Sequence, residues 1–267
     1  MKDDSLKNRF RNQVPTVGVV SGLYQDTDHV EILGLLGYDF LWADAEHSSG
    51  SPSDISRLIL AAERRGMPTI VRIGHGYQDI IGHAQKYLVA GAQGILLPQC
   101  ESRREVEKIV EAVKFPPVGK RGLAGERWNN WGISTSHDST TLAERVSESN
   151  RNSIVGVIVE SQIGISCLDE MLVVEELDFV FVAPTDLSAD LGLHGQIRHP
   201  RVQQLVEEAG RKIQDAGKAA GMLALSPHDY KYWRERGFTV ICCVAHNLFI
   251  DGAKKMMEAI RDIELSR

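Results

Sequence analysis

The chain has 267 residues, 43% hydrophobic and 25% charged, with 30 Lys and Arg against 36 Asp and Glu for a net charge of −6. At about 150 residues per domain this is one or two domains, long enough to bury a core without disulfides or a structural metal. Disorder is excluded by the composition, no Lys/Arg run marks a nucleic-acid partner, and no apolar stretch approaches the roughly 18 residues of a membrane span.

In chain order, short apolar runs alternate with amphipathic segments. Met1 to Gln13 is charged, with no apolar core, so no secretory leader is expected. Runs at Thr16–Val20, Phe40–Ala43, Thr69–Val71 and Gly94–Leu97 read as strands. Each is followed by helical spacing, over 28–36, 52–65, about 77–89 and 102–113. Pro52 opens the second of these helices well, and Gly66 stops it after Arg64 and Arg65. Phe115 to Asn152 is polar and rich in Gly and Trp, and reads as a long irregular loop. The rhythm resumes with runs at 154–159, 179–182, 219–223 and 239–244. Amphipathic segments cover 163–174, 200–216, 227–236 and 248–263. Eight strand–helix units in one domain's length predict α/β architecture, a single-domain (β/α)8 TIM barrel.

Four cysteines, Cys100, Cys167, Cys242 and Cys243, form no CxxC pair. They read as buried free thiols in a reducing cytoplasm, ahead of a redox or metal role.

In such a barrel the active site lies at the C-terminal ends of the strands. Those ends carry Asp44-Ala-Glu46-His47, Arg72, Pro98-Gln99, Glu160 and Ala183-Pro-Thr-Asp186. Glu160 and Asp186 suit an oxygen-ligand site for Mg²⁺ or Mn²⁺, completed by water and substrate oxygens; the plainer alternative is that each caps a helix or pairs with a base. Arg72 could hold a carboxylate and stabilise an enolate, or form a structural ion pair with Asp44 or Glu46. His47 could act as general base, or bond to loop backbone. The other histidines, including His75 and His246, read as background. Arg127, Trp128, Asn129 and Trp131 could cover the site or form an oligomer contact. No strand end carries a lysine, which disfavours a Schiff-base route.

Together, Asp44-Ala-Glu46-His47, Val71-Arg72, the Pro116–Gly122 stretch, Val157–Glu160 and Ala183–Gly192 resemble the HpcH/HpaI aldolase family. The similarity runs in order from about Val17 to Ile260. The resemblance implies a metal-dependent, class II pyruvate aldolase, a carbon–carbon lyase on a (β/α)8 barrel. It further implies a homo-oligomer, a hexamer or trimer of dimers, with the last helix exchanged between neighbours. On it, Glu160 and Asp186 bind the divalent metal (Mg²⁺, Mn²⁺ or Co²⁺), and Arg72 binds the pyruvyl group. His47 joins the acid/base apparatus with Asp44 nearby, and Ala183, Pro184 and Thr185 help hold the substrate carboxylate. The expected reaction cleaves a 4-hydroxy-2-oxo acid to pyruvate and an aldehyde, with oxaloacetate decarboxylation alongside. Val89 stands where several members carry an acid, and the stretch from Leu123 to Ser139 departs from the pattern. Two alternatives follow: an oxaloacetate-using condensing enzyme like macrophomate synthase or a siderophore-pathway citrate synthase, or a non-catalytic anion-binding barrel.

Overall fold

The computed structural model describes residues 5–23, 25–74, 79–133 and 139–265. Eight parallel strands pair in chain order and close on themselves: β1 (Thr16–Ser21), β2 (Phe40–Asp44), β3 (Thr69–Arg72), β4 (Gly94–Leu97), β5 (Ile154–Val159), β6 (Phe179–Val182), β7 (Ala219–Leu223) and β8 (Val240–Val244). Around them run α1 (Leu6–Arg11), α2 (Thr27–Leu35), α3 (Pro52–Arg64), α4 (Ile80–Ala90), α5 (Arg103–Val113), α6 (Ser139–Asn152), α7 (Gln162–Ser166), α8 (Leu168–Leu172), α9 (Pro184–Asp190), α10 (Pro200–Asp215), α11 (Pro227–Glu235) and α12 (Ala245–Leu265). The predicted (β/α)8 barrel is therefore the fold. No helix among the described residues is long and apolar enough to cross a membrane.

The strands are apolar because both faces are covered. One face packs on the helices through a core that includes Val19, Leu41, Val71, Ile95, Val157 and Val180. The other fills the barrel with Phe40, Trp42, Ile70, Leu96, Ile158, Phe179, Phe181 and Cys242. Few aromatics suffice because glycines on neighbouring strands make room for them. A Cβ at Gly156 would lie 2.1 Å from the Phe179 ring, and one at Gly18 would lie 2.3 Å from Phe40.

Helix α3 starts as its sequence predicts. Ser51 caps the Asp54 N–H and Asp54 returns a bond to Ser51, with Pro52 in the first turn. The stop at Gly66 has φ +67°, a conformation other residues resist. Differences appear where the apolar spacing is weak. The stretch expected to be irregular holds a 3₁₀ turn at Arg127–Gly132 and the 14-residue helix α6. Leu142 and Val146 are the only large apolar residues of α6, too few to betray an amphipathic face. The segment 163–174 divides into α7 and α8, and α9 follows β6 directly. The expected helix start at Tyr77, like His75, lies outside the described residues, and α4 begins at Ile80.

The N-terminal end of the barrel is closed by α1. Phe10 meets Phe40 edge-on at 5.9 Å and Phe179 at 5.0 Å. Beside it, the Lys7 Nζ donates to the Ser153 carbonyl (2.8 Å) and to Asp178 Oδ2 (3.0 Å). The Lys114 Nζ donates to the Asn150 and Ser153 carbonyls at 2.7 and 2.8 Å and pairs with Glu176 at 3.2 Å. Burial, followed by the charge of Lys7, pulls the Lys114 ammonium down to about 8.

The 115–133 stretch lies at this same end. The Arg121 guanidinium stacks 4.6 Å over Phe115, Phe115 lies 4.6 Å from Trp128, and Arg127 pairs with Glu63 at the end of α3. Within one chain, then, Arg127 and Trp128 do not cover the C-terminal rim. The connection joins a helix to the strand after it, and in a parallel barrel that places it at the strands' N-terminal ends. At the other extreme of the chain, α12 is exposed from Leu248 to Leu265.

Two of the cysteines depart from the expected burial: all four are free, but only Cys100 and Cys242 are buried, with Cys167 and Cys243 half-buried. Cys242 points into the barrel, and its neighbour Cys243 points out beside Tyr38, as strand alternation requires.

Candidate active site

A cavity of about 280 Å³ opens at the C-terminal ends of the strands. Trp42, Phe181, Ile158 and Val20, which fill the barrel below, line it with Asp44, His47, Arg72 and Ala183–Asp186. The volume suits a small substrate.

Asp44, 3% exposed, organises one side. Its Oδ1 accepts the backbone N–H groups of Glu46 (3.0 Å) and His47 (3.2 Å), folding the chain after β2 back over the rim. The Arg72 guanidinium donates Nε to Asp44 Oδ1 at 2.9 Å and Nη2 to Asp44 Oδ2, and its Nη1 lies 3.3 Å from Glu46 Oε2. Strand register sets this pairing, because Asp44 and Arg72 are direct neighbours across β2 and β3. The ion pair foreseen as the alternative role of Arg72 therefore exists, with both Asp44 and Glu46. It fixes the guanidinium beside Trp42, 5.4 Å from the ring centre, at the cavity wall. Burial opposes the charge on Arg72, but the bonds to Asp44 and the nearby Glu46 and Glu160 outweigh it and hold its pKa above the ordinary value.

Glu160 lies at the end of β5. Its Oε1 accepts the Gln99 N–H at 2.7 Å. Burial pushes its carboxyl up to about 7, with Asp186 and Glu46 acting in the same direction and the Gln99 N–H and Arg72 against it. Carboxylates thus gather around Glu160, while the nearest arginine is already shared between two other acids. A divalent cation would relieve that crowding. Glu160 and Asp186 offer two hard oxygen donors, and among the described residues no group of three or more His, Cys, Asp or Glu forms a closed cage. That donor set fits a cation that keeps positions for water and substrate oxygens, such as Mg²⁺ or Mn²⁺, rather than a closed structural zinc site.

The other expected residues divide. His47 is at the rim and exposed, with Nε2 3.8 Å from Glu46 Oε2, so Glu46 is the acid closest to its ring. Of the expected carboxylate-binding trio, the Ala183 N–H is already given to Val159 O (3.1 Å), and Pro184 has no N–H to give. This leaves the backbone N–H of Thr185, in the first turn of α9, as the trio's available donor.

Three contributors were not singled out from sequence. Gln99 sits at φ +50°, donating its N–H to Glu160 and its side-chain amide to Glu46 at 3.4 Å. Its place at the end of β4 was the available signal. Gly22 lets the chain pass Asp44, since a Cβ there would lie 3.2 Å from Asp44 Oδ2. His246, at the start of α12, lines the cavity.

Comparison with known proteins identifies the relatives of this chain. The family model described as HpcH/HpaI aldolase/citrate lyase matches residues 23–245. A 2-keto-3-deoxy-L-rhamnonate aldolase of Escherichia coli (strain K12) is 32% identical over 227 residues, covering 83% of this chain and 81% of the relative. The crystal structure of an HpcH/HpaI aldolase from Desulfitobacterium hafniense DCB-2 superposes with a TM-score of 0.85 at 27% identity, over 96% of each chain. That of citrate synthase SbnG superposes with a TM-score of 0.83 at 26% identity, over 97% of this chain and 99% of its own. The chain belongs to the HpcH/HpaI aldolase/citrate lyase family, and is a carbon–carbon lyase of the class II aldolase kind.

Proposed function

We propose that the protein reversibly cleaves a 4-hydroxy-2-oxo acid to pyruvate and an aldehyde, using a divalent metal. One observation carries the proposal: a guanidinium clamped by Asp44 and Glu46 faces the same small cavity as Asp186, with Glu160 beside it. Glu160 and Asp186 would hold Mg²⁺, Mn²⁺ or Co²⁺, which when bound supplies Lewis-acid polarisation of a 2-oxo acid. Arg72, unable to lose its proton, binds the oxo-acid end and offsets negative charge as the carbon–carbon bond breaks. The first turn of α9 offers the Thr185 N–H to the substrate carboxylate. His47 takes the proton of the C4 hydroxyl during cleavage and returns it during addition, with Glu46 steadying the ring. Asp44 acts through Arg72 and the backbone of the rim.

The test is deuteration of the pyruvate methyl in D₂O, followed by NMR. Exchange that requires Mg²⁺ or Mn²⁺ and stops with chelator supports the reading, and absence of exchange with every divalent metal overturns it. Oxaloacetate decarboxylation should accompany it, because both reactions pass through the same carbanion equivalent. Similarity to citrate synthase SbnG favours a second reading, condensation of oxaloacetate with another carbon donor. Product analysis with oxaloacetate and an acetyl donor separates the two.

The same reading includes a cytoplasmic setting, supported by four free thiols, and a homo-oligomer, either a hexamer or a trimer of dimers. Helix α12 holds Phe249, Met256, Ile263 and Leu265 at 61%, 63%, 58% and 86% exposure, apolar surface that a neighbouring copy would cover. Sedimentation of the whole chain against one lacking residues 248–267 tests this: loss of assembly supports it, and a monomeric whole chain overturns it.

A further inference from the structure

The walls of the rim cavity differ in chemistry. Strands β2 and β3 and the start of α9 bring Asp44, Arg72 and Asp186 to one side. Strands β1, β7 and β8 bring Val20, Leu223 and Val244 to the other, with Leu23 just beyond β1. On that apolar side a single titratable group lines the cavity among the described residues, the imidazole of His246. It is half-buried, and among the described residues it has no hydrogen-bond or ion-pair partner. Nothing in the Arg72, Glu160 and Asp186 arrangement requires it.

We propose that His246 is the specificity-determining residue for the aldehyde, and that it selects short aldehydes carrying a hydroxyl group. This rests on the aldolase reading of the site. With the oxo acid on the polar side, the aldehyde lies against the apolar side, where its substituents meet Val20, Leu223, Val244 and His246. A purely alkyl aldehyde would strip water from the imidazole and return no bond. A carboxylate-bearing aldehyde would add negative charge to a rim that already holds Asp44, Glu46, Glu160 and Asp186 against Arg72. A hydroxyl adds no charge and both donates and accepts, as a neutral imidazole does. The cavity of about 280 Å³ limits the chain to a few carbons once the oxo acid is bound.

The experiment compares aldehydes that differ by hydroxyl against methyl in pyruvate addition: lactaldehyde against 2-methylpropanal, and glycolaldehyde against propanal. The wild type should favour the hydroxylated member of each pair by about tenfold or more in kcat/KM. In His246→Leu that ratio should fall towards unity, chiefly through a higher KM for the hydroxylated member. His246→Gln, which keeps a donor and an acceptor, should recover part of it. An unchanged ratio in a folded His246→Leu, checked by circular dichroism, overturns the assignment. A selective loss of glyoxylate addition in that variant, with hydroxyaldehydes unaffected, also overturns it, because His246 would then be a carboxylate site. Methyl deuteration of pyruvate by the wild type is the separate control: its absence overturns the aldolase reading and this inference with it, and its presence isolates the role of His246.

Discussion

At the N-terminal end of the barrel, Lys7 and Lys114 are 2% and 0% exposed, and each ammonium is met by the Ser153 carbonyl and a carboxylate. At the C-terminal rim, Glu46, Glu160 and Asp186 gather with Asp44 around one arginine, and burial together with like charge holds Glu160 near 7. The two buried lysines at the closed end are each paired with a carboxylate of the protein, and the Lys7 pair with Asp178 ties α1 to the strands. The charged groups at the open end are left short of positive charge, which a divalent cation can supply while keeping positions for the oxygens of an anionic substrate. Desolvated charges stabilise a fold only when fully paired; left under-compensated, they make a binding site.

The largest effect expected at the rim is that of Glu160→Gln. Pyruvate methyl exchange should fall about a thousandfold or more, while circular dichroism shows the barrel intact. Asp178→Asn strikes the closed end instead. It leaves Lys7 buried with its main counter-charge gone and should lower the unfolding free energy in urea by about 3–5 kcal/mol. Exchange per folded molecule should persist, and a loss of exchange equal to that of Glu160→Gln would erase the distinction between the ends.

A pH series sharpens the same contrast. Without metal, the folded Glu160 carboxyl titrates near 7, above its ordinary value of 4.5. The folded state therefore holds the extra proton between those values. The associated stability is full below about 4.5 and is lost as pH rises through 7. Relative to Glu160→Gln, the chelated wild type should lose on the order of 1 kcal/mol or more between pH 5 and 8, and Mg²⁺ should restore more at pH 8 than at pH 6. Parallel profiles for the two proteins would remove Glu160 as the cause. The smallest effect is expected from Arg127→Gln. That pair with Glu63 is 26% and 41% exposed, and its loss should change the unfolding free energy by less than about 1 kcal/mol in thermal melts.

Much of the rim was legible because Asp44, Arg72, Glu160 and Asp186 stand at or just beyond the ends of apolar runs, where strand ends become a site. Glu46 was legible only as a partner for Arg72, since its proximity to His47 and Glu160 depends on how the chain turns after β2. Gln99 was legible only as a strand-end residue, because its main bond is made by the backbone at positive φ, which no side-chain pattern announces. His246 was hidden because a histidine opening an exposed helix looks like surface until the barrel closes β8 against β1. For the segment 115–133, where the sequence left covering the site and an oligomer contact both open, the reason is different. Composition marks a long connection as unusual, but the end of the barrel it lies on follows from strand direction.

By itself the sequence determined the alternation of strand and helix, and so the barrel, because the apolar spacing of each segment depends on its own residues and their period. It also determined which carboxylates and which arginine reach the rim, because each stands at or just beyond the end of its strand. Only the tertiary structure decided that Asp44 and Glu46 clamp Arg72, that Lys7 and Phe10 close the opposite end, and that one half of the cavity is apolar with, among the described residues, a single imidazole. Those outcomes depend on register between strands and on closure between β1 and β8, interactions between residues far apart in the chain that no local pattern records.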